Sequence, residues 1–585
     1  MTIESLMADG NYLAAYDEAR LLLNKGDSAL RTRYLAVLAL ARSGALTQAR
    51  SAAEDLLDVD VLTVPDRGLG LDIDALRARL AKDLAFEATG ADRPQLLADA
   101  ARAYEAVHRR WDDAYPAANA ATLWTLAGER PRAAELARSA LPSVGEPWED
   151  YWAAVTCAEL ALVIGDLGLA HRAVVAAAVM GPHDYASRAA TRRQLARLCA
   201  HLGLEADVLA PLRNPAVAHA TGHLPVAGDG RGRFPRAAEG AATAEVARVL
   251  EREGVRVAFG SLAAGADILV AEQLAARGGA YNVVLPFPEE AFVRASVAPF
   301  GQDWVERFRA CLAAARSVTV VNDALHGEED VLFRFGSRVA MGMVRLRAQA
   351  MEAPAVQVAV WDGVAGETGV AADVADWEAV RGRSVVVDSG GTGEAVGREP
   401  PSGRREVRAM LFCDVAGFSG LPDEVIPLFM DVVMGGLGKV LEGFGDVVLA
   451  RQTWGDAVHV VMRDTASAAR CALRWQESVA ETTAGSPLLA SVSGLRISGH
   501  VGPVHPGRDR IRDEDAFFGA AVVRAARIEP RTPVGQTYVT EQFAALLALE
   551  APELRCDYVG IAPTAKDYGA LHLYHLRAAG AASPG

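Results

Sequence analysis

Three stretches of the chain carry three different hydrophobic rhythms. Over residues 1–205 apolar positions, mostly alanine and leucine, recur at helical spacing with no strand-like run between them. A phrase of glycine followed five residues later by alanine returns as Gly10-Asn-Tyr-Leu-Ala-Ala15, Gly44-Ala-Leu-Thr-Gln-Ala49, Gly128-Glu-Arg-Pro-Arg-Ala133 and Gly165-Asp-Leu-Gly-Leu-Ala170. The first two copies are 34 residues apart and the last two 37. Such a glycine turns the chain between two helices, and the small alanine lets the pair approach closely. From Val217 to Asp362 short apolar runs (Val255–Phe259, Tyr281–Phe287, Ser317–Val321, Ala355–Trp361) alternate with helical stretches, the signature of a parallel sheet with covering helices. Residues 363–404, rich in Gly, Val, Asp and Pro, read as a linker with a short strand at Ser384–Asp388. From Arg405 to Arg577 strands and helices mix again. Here Leu411-Phe-Cys-Asp-Val-Ala-Gly-Phe-Ser419 and Trp454-Gly-Asp456 each read as a strand running into a turn, with an aspartate at the turn.

The period of the first region is similar to that of tetratricopeptide repeats. The resemblance implies a solenoid of stacked helix pairs whose concave surface takes a protein partner, with no catalysis. In the second region, Gly260-Ser-Leu-Ala-Ala-Gly-Ala-Asp267 and the strand ending in Leu285-Pro-Phe287 resemble the SLOG group of Rossmann-like domains. A small-residue turn into a helix N-terminus can bind phosphate, so a small nucleotide ligand is expected at Gly260, Ser261, Gly265 and Asp267. The group's Pro-Gly-Gly-x-Gly-Thr phosphate motif is absent, which argues against its hydrolase chemistry.

Asp414 and Asp456 lie 42 residues apart. Two carboxylates side by side make an oxygen-rich site for divalent cations that clamp a triphosphate. Four motifs in order, from about Arg405 to Arg577, resemble the catalytic domain of class III adenylate/guanylate cyclases. They are Asp414-Val-Ala-Gly-Phe-Ser419, Gln452-Thr-Trp-Gly-Asp456, Arg496-Ile-Ser-Gly-His-Val-Gly-Pro-Val504 and Gly519-Ala-Ala-Val-Val-Arg-Ala-Ala-Arg527. The resemblance implies an α+β, ferredoxin-like domain in which Asp414 and Asp456 hold two Mg²⁺ or Mn²⁺ ions. The turn Val415, Gly417, Phe418 would face the phosphates, and Arg527 and Lys566 would neutralise them. It also implies a homodimer with the active site between two such domains. The departures fall on the base and ribose contacts. Gln452 and Ala516 stand where adenine-specific relatives carry a lysine and an aspartate, and Val523 replaces the transition-state asparagine. The expected reaction is conversion of a nucleoside triphosphate to a 3′,5′-cyclic nucleotide and pyrophosphate. ATP is the default, with GTP or a pyrimidine triphosphate left open. The pyrimidine option would suit the cyclic UMP and CMP signals that some bacterial relatives make against phage. The alternative from another class is a signalling scaffold whose cyclase-like domain binds nucleotide without cyclising it.

Composition narrows the partners. The net charge is −15 and no long basic block occurs, which argues against nonspecific nucleic-acid binding. There is no apolar run of membrane-spanning length, and the first residues lack a basic segment followed by an apolar one. Six cysteines are scattered without paired spacing, as expected in a reducing cytoplasm. The expected architecture is therefore a helical repeat (1–205), a Rossmann-like α/β domain (217–362), a linker (363–404) and a cyclase domain (405–577).

Overall fold

A computed structural model describes residues 2–8, 12–42, 46–88, 90–181, 185–227, 232–323, 329–391, 405–484, 486–563 and 570–578. Among the described residues before 205 every element is helical, from Ile3–Ala8 to Tyr185–Leu202. Gly10 and Gly44 of the recurring phrase lie outside the described residues. The other two copies behave as their spacing requires. Gly128 (φ +94) and Gly165 (φ +84) sit in the left-handed region between consecutive helices, where a side chain would be strained. Ala133 and Ala170 are fully buried on the helices that follow.

The middle of the chain forms a six-stranded, all-parallel sheet. Its strands are β1 (Ala216–Gly222), β2 (Val255–Gly260), β3 (Ala280–Leu285), β4 (Ser317–Val320), β5 (Ala355–Trp361) and β6 (Arg383–Asp388), in the order β4-β3-β2-β1-β5-β6. The order reverses between β1 and β5, the place where such sheets open a crevice at their carboxyl ends. Two expectations need correction. The strand β1 was not anticipated, because Ala-Val-Ala-His-Ala-Thr-Gly has neither alternation nor a run of large apolar residues. Nor is the whole of 363–404 a linker. The helix Gly369–Ala379 and β6 lie inside it, and β6 pairs with β5 in continuous parallel register from Val356↔Arg383 to Trp361↔Asp388. Glycine, valine and aspartate there serve turns and an outer strand.

The last unit holds β7 (Glu406–Ala416), β8 (Val448–Trp454), β9 (Ala457–Met462), β10 (Gly494–Asp509), β11 (Glu514–Phe518), β12 (Gln536–Thr540), β13 (Arg555–Pro563) and β14 (Ala570–Arg577). Their order is β13-β14-β12-β10-β7-β9-β8, with β11 folded back on β10. Alternation along β7 divides the two faces. Ala409, Leu411, Cys413 and Val415 join a core with Phe429 and Trp475, under the helices. Met410, Phe412 and Asp414 point the other way. There Met410 meets Val461, Val504 and the short helix Ala520–Ala526, with Phe412 only partly covered.

The two sheets share a core. The long helix Glu329–Met351 packs on Glu541–Glu550, and one cluster contains Val339, Met343 and Val344 together with Phe543, Ala544 and Leu547. Gly342 lies where the helices cross. A Cβ there would overlap the backbone carbonyl of Ala545. Arg338 Nη2 donates to Glu550 (3.2 Å), whose other oxygen accepts from Thr465 N and Ala466 N at the start of the next helix. Gly342→Ala should therefore cost about 1–3 kcal/mol of stability. Gly438→Ala, at a helical glycine with open space around it, should be neutral or add about 0.5–1 kcal/mol. Urea denaturation of the two variants beside the parent checks both signs.

Candidate active site

Asp414 lies within β7, two residues before its end, and not in the turn itself. Its backbone neighbour on β9 is Ala457, so Asp456, in the β8–β9 turn, falls beside it. On the other side Asp414 stands directly opposite Arg496 of β10. Arg496 Nη2 donates to Asp414 Oδ2. The Nε of Arg496 is 2.9 Å from Glu529 Oε1, yet neither atom makes a well-directed hydrogen bond. Three carboxylates thus crowd one guanidinium. Asp456 is raised above the ordinary aspartate value, by desolvation first and then by the charge of Asp414. Glu529 is raised as well, by desolvation and then by Asp414. Sequence reasoning missed Arg496 and Glu529. The strand position of Arg496 opposite Asp414 was the available signal, whereas nothing in the sequence marked Glu529.

The turn after Asp414 is shaped by packing as well as by any ligand. Gly417 has φ +96, and a Cβ there would overlap the carbonyl of Ser491. Phe418 packs on Phe429 with ring centroids 4.8 Å apart, and Val415 is buried beneath the helices. Only the backbone of Val415 and Phe418 is therefore available to a phosphate. Gln452 is half-buried on β8, and Ala516 is buried on β11. Val523 is 39% exposed on the helix Ala520–Ala526. Arg527 follows that helix as its cap, with Nε buried and lacking a hydrogen-bond partner. Lys566 lies outside the described residues. Arg524, one turn before Arg527, is held from the middle unit. Its Nη2 donates to both oxygens of Asp323, at 2.6 and 2.7 Å.

Among the described residues no group of three or more His, Cys, Asp or Glu side chains is arranged to hold a metal ion. The crowded pair Asp414 and Asp456 nevertheless suits Mg²⁺ or Mn²⁺, which need only one or two carboxylates when phosphate oxygens and water complete the shell. Cationic charge between them would relieve the repulsion that lifts Asp456.

The comparisons with known proteins can be set beside this geometry. Residues 11–124 match the family model described as Tetratricopeptide Repeats-Sensor. That match is confined to the helical N-terminal region. Solved structures that the chain resembles over about 30% of its length include nucleotide cyclases. The adenylyl cyclase CyaB from P. aeruginosa is 15% identical, with a TM-score of 0.27, over 30% of this chain and 94% of that one. The guanylate cyclase domain of RhGC from Catenaria anguillulae, solved with GTP, is 16% identical, with a TM-score of 0.26, over 30% of this chain and 99% of that one. At TM-scores of this size the likeness decides nothing about this chain's chemistry. No curated protein matches the sequence. No helix among the described residues is long and apolar enough to cross a membrane.

The second group of expected ligand residues gathers at the carboxyl ends of β1 and β2. A Cβ on Gly260 would come within 2.6 Å of the Ala220 carbonyl, and one on Gly265 (φ +92) within 2.7 Å of the His223 carbonyl. Strand packing alone thus accounts for both glycines. Asp267, in the first turn of the helix Ala266–Ala275, accepts from Ser261 Oγ and, at 3.3 Å, from Ala263 N. Its Oδ1 is buried without a partner. Sequence reasoning missed a neighbouring cluster in which Asp362, just after β5, lies 3.2 Å from His223 Nε2 and 2.5 Å from Arg233 Nη2.

Burial pushes Asp267 up to about 7, against hydrogen bonds from Ser261 and Ala263 that favour its anion. An unfolded aspartate ionises near 3.8, so this group supports the fold fully below that value, and its support drains away as the pH climbs through 7. Asp267→Asn should therefore lose less stability than the parent between about pH 5 and about pH 8, measured by urea denaturation at both.

Proposed function

We propose that residues 405–577 are a nucleotide cyclase domain that converts a nucleoside triphosphate to a 3′,5′-cyclic nucleotide and pyrophosphate. The observation that carries this reading is the adjacency of Asp414 and Asp456 across the β7–β9 pair, on the sheet face left free of the large helices. Bound there, Mg²⁺ or Mn²⁺ would supply charge neutralisation at the attacking ribose oxygen and the leaving pyrophosphate. Asp414 and Asp456 would hold the cations, and the backbone of the Gly417 turn would orient the phosphates. Arg527, at the end of the helix that borders this face, is suited to bind a phosphate oxygen through its half-buried guanidinium. Arg496 holds Asp414 in place and must share that carboxylate when a cation arrives.

The elements bordering this face leave apolar surface open. Trp454 at the end of β8 is 57% exposed and Phe518 at the end of β11 is 48% exposed. A second copy of the chain would cover them and bring its own Arg527 toward Asp414 and Asp456, giving a symmetric dimer with two equivalent sites. The helical repeat and the parallel sheet are then regulatory modules, one for a protein partner and one for a small nucleotide ligand.

ATP is the default substrate, and GTP, CTP and UTP are admitted beside it because buried Ala516 offers no hydrogen bond and Gln452 can both donate and accept. Two observations favour a second reading, a nucleotide-binding scaffold without turnover. Val523 presents no donor, and Asp414 is already engaged by Arg496.

Product analysis with each of the four triphosphates, in Mn²⁺ and then Mg²⁺, separates the readings. A cyclic product that disappears in Asp456→Ala supports the cyclase, whereas nucleotide binding with no product in either metal supports the scaffold. Val523→Asn should raise turnover by about 10²-fold, the usual worth of one transition-state donor. An unchanged rate would place the missing donor elsewhere.

A further inference from the structure

At the junction of the two sheets lies a cleft of about 500 Å³ that neither the cyclase reading nor the β1–β2 crevice uses. It opens where the helix Glu329–Met351 packs on Glu541–Glu550. Its floor is apolar, made by Leu346, Ala348, Leu547, Ala548 and Leu554. Its charged lining is Arg345, Arg381, Arg383 and Arg555, against the single acid Glu352. Four cations to one anion is a marked local excess in a chain whose net charge is −15.

The arginines come from three separate segments of the two sheet units. Arg345 is on the long helix, with Nη2 spent on the Val380 carbonyl (2.8 Å) and Nε buried without a partner. Arg381 follows the helix Gly369–Ala379 at φ +57, in the left-handed region that a glycine normally takes at a helix end. Arg383 opens β6 and already pairs with Glu253, while Arg555 opens β13 of the other sheet. The repeat adds to the crowding. Arg197 is held below the ordinary arginine value, by desolvation first and then by the charges of Arg193, Arg555 and Arg93. Arg381, Arg383 and Arg555 are exposed around the apolar residues, and an anion with an apolar body answers both features. The volume is that of a small-ligand site.

We propose that this cleft binds a nucleoside phosphate, with the base on the Leu346/Leu547/Leu554 floor and the phosphate between Arg381 and Arg555. Arg381 belongs to the parallel-sheet unit and Arg555 to the cyclase-like unit, so one ligand bridges them. The site is separate from the Asp414/Asp456 pair and does not depend on cyclase activity.

Calorimetric titration of the full chain in EDTA, with AMP, GMP, CMP, UMP and their diphosphates, tests it. At least one of these should bind, and both Arg381→Gly and Arg555→Gln should weaken it about tenfold. Arg381→Gly is the informative variant, because glycine adopts φ +57 without strain and the melting temperature should hold or rise. Asp456→Ala should leave the binding unchanged. No heat with any of the eight compounds, equal affinity in both arginine variants, or loss of binding in Asp456→Ala would each overturn the proposal.

Discussion

The contact on which the rest of this structure depends is the crossing of Glu329–Met351 over Glu541–Glu550 at Gly342. A glycine is required there because the Ala545 carbonyl occupies the space a side chain would need. Close approach buries aliphatic side chains from both units in one core, so the parallel sheet and the mixed sheet are continuous through their packing. Glu550, at the end of the second helix, ties the crossing onward to the amide groups opening Thr465–Ala484 and back to Arg338. Binding energy gained in the parallel-sheet unit can therefore bear on the mixed sheet through rigid packing. The Asp323–Arg524 pair adds a second connection, to the short helix that ends at Arg527.

The site has a simple electrostatic logic. The helix-facing side of β7 is filled by Leu411, Cys413 and Val415, while its other side carries Asp414 into a cluster of carboxylates. Asp456 and Glu529 are both pushed upward, with Arg496 the neighbouring cation that opposes the shift. Such a cluster is unfavourable alone and suits cationic charge brought with a phosphate ligand. Trp454 and Phe518 are exposed on the elements that border it.

Much of this was legible in the sequence, for identifiable reasons. Glycine and alanine at fixed spacing gave the helix-pair turns at Gly128 and Gly165, because left-handed backbone and close packing each demand one residue type. The neighbourhood of Asp414 and Asp456 follows from two strand-turn patterns on adjacent strands, although Asp414 sits within β7 and only Asp456 in a turn. What escaped has equally physical causes. β1 is built of small residues buried on both faces, so it shows no alternation. The helix Gly369–Ala379 escaped too, and the short strand read at Ser384–Asp388 was left in a linker because its pairing with β5 cannot be seen in glycine-rich sequence. Arg496 and Glu529 approach Asp414 only through strand pairing and a distant turn, which linear spacing does not encode. Val415 and Phe418 were expected to face the phosphates. Their side chains face the core and leave only the backbone free.

In the proposed function the chemistry occurs between two copies of the chain. It is tested most directly by mixing two inactive variants, Asp414→Ala and Arg527→Ala, after a cyclic product has been found for the parent. If each site draws its aspartates from one chain and Arg527 from the other, half of randomly formed dimers are mixed and each holds one intact site of two. The mixture should then recover about a quarter of the parental rate. A mixture as silent as its components would contradict the account and place all the catalytic groups within one chain.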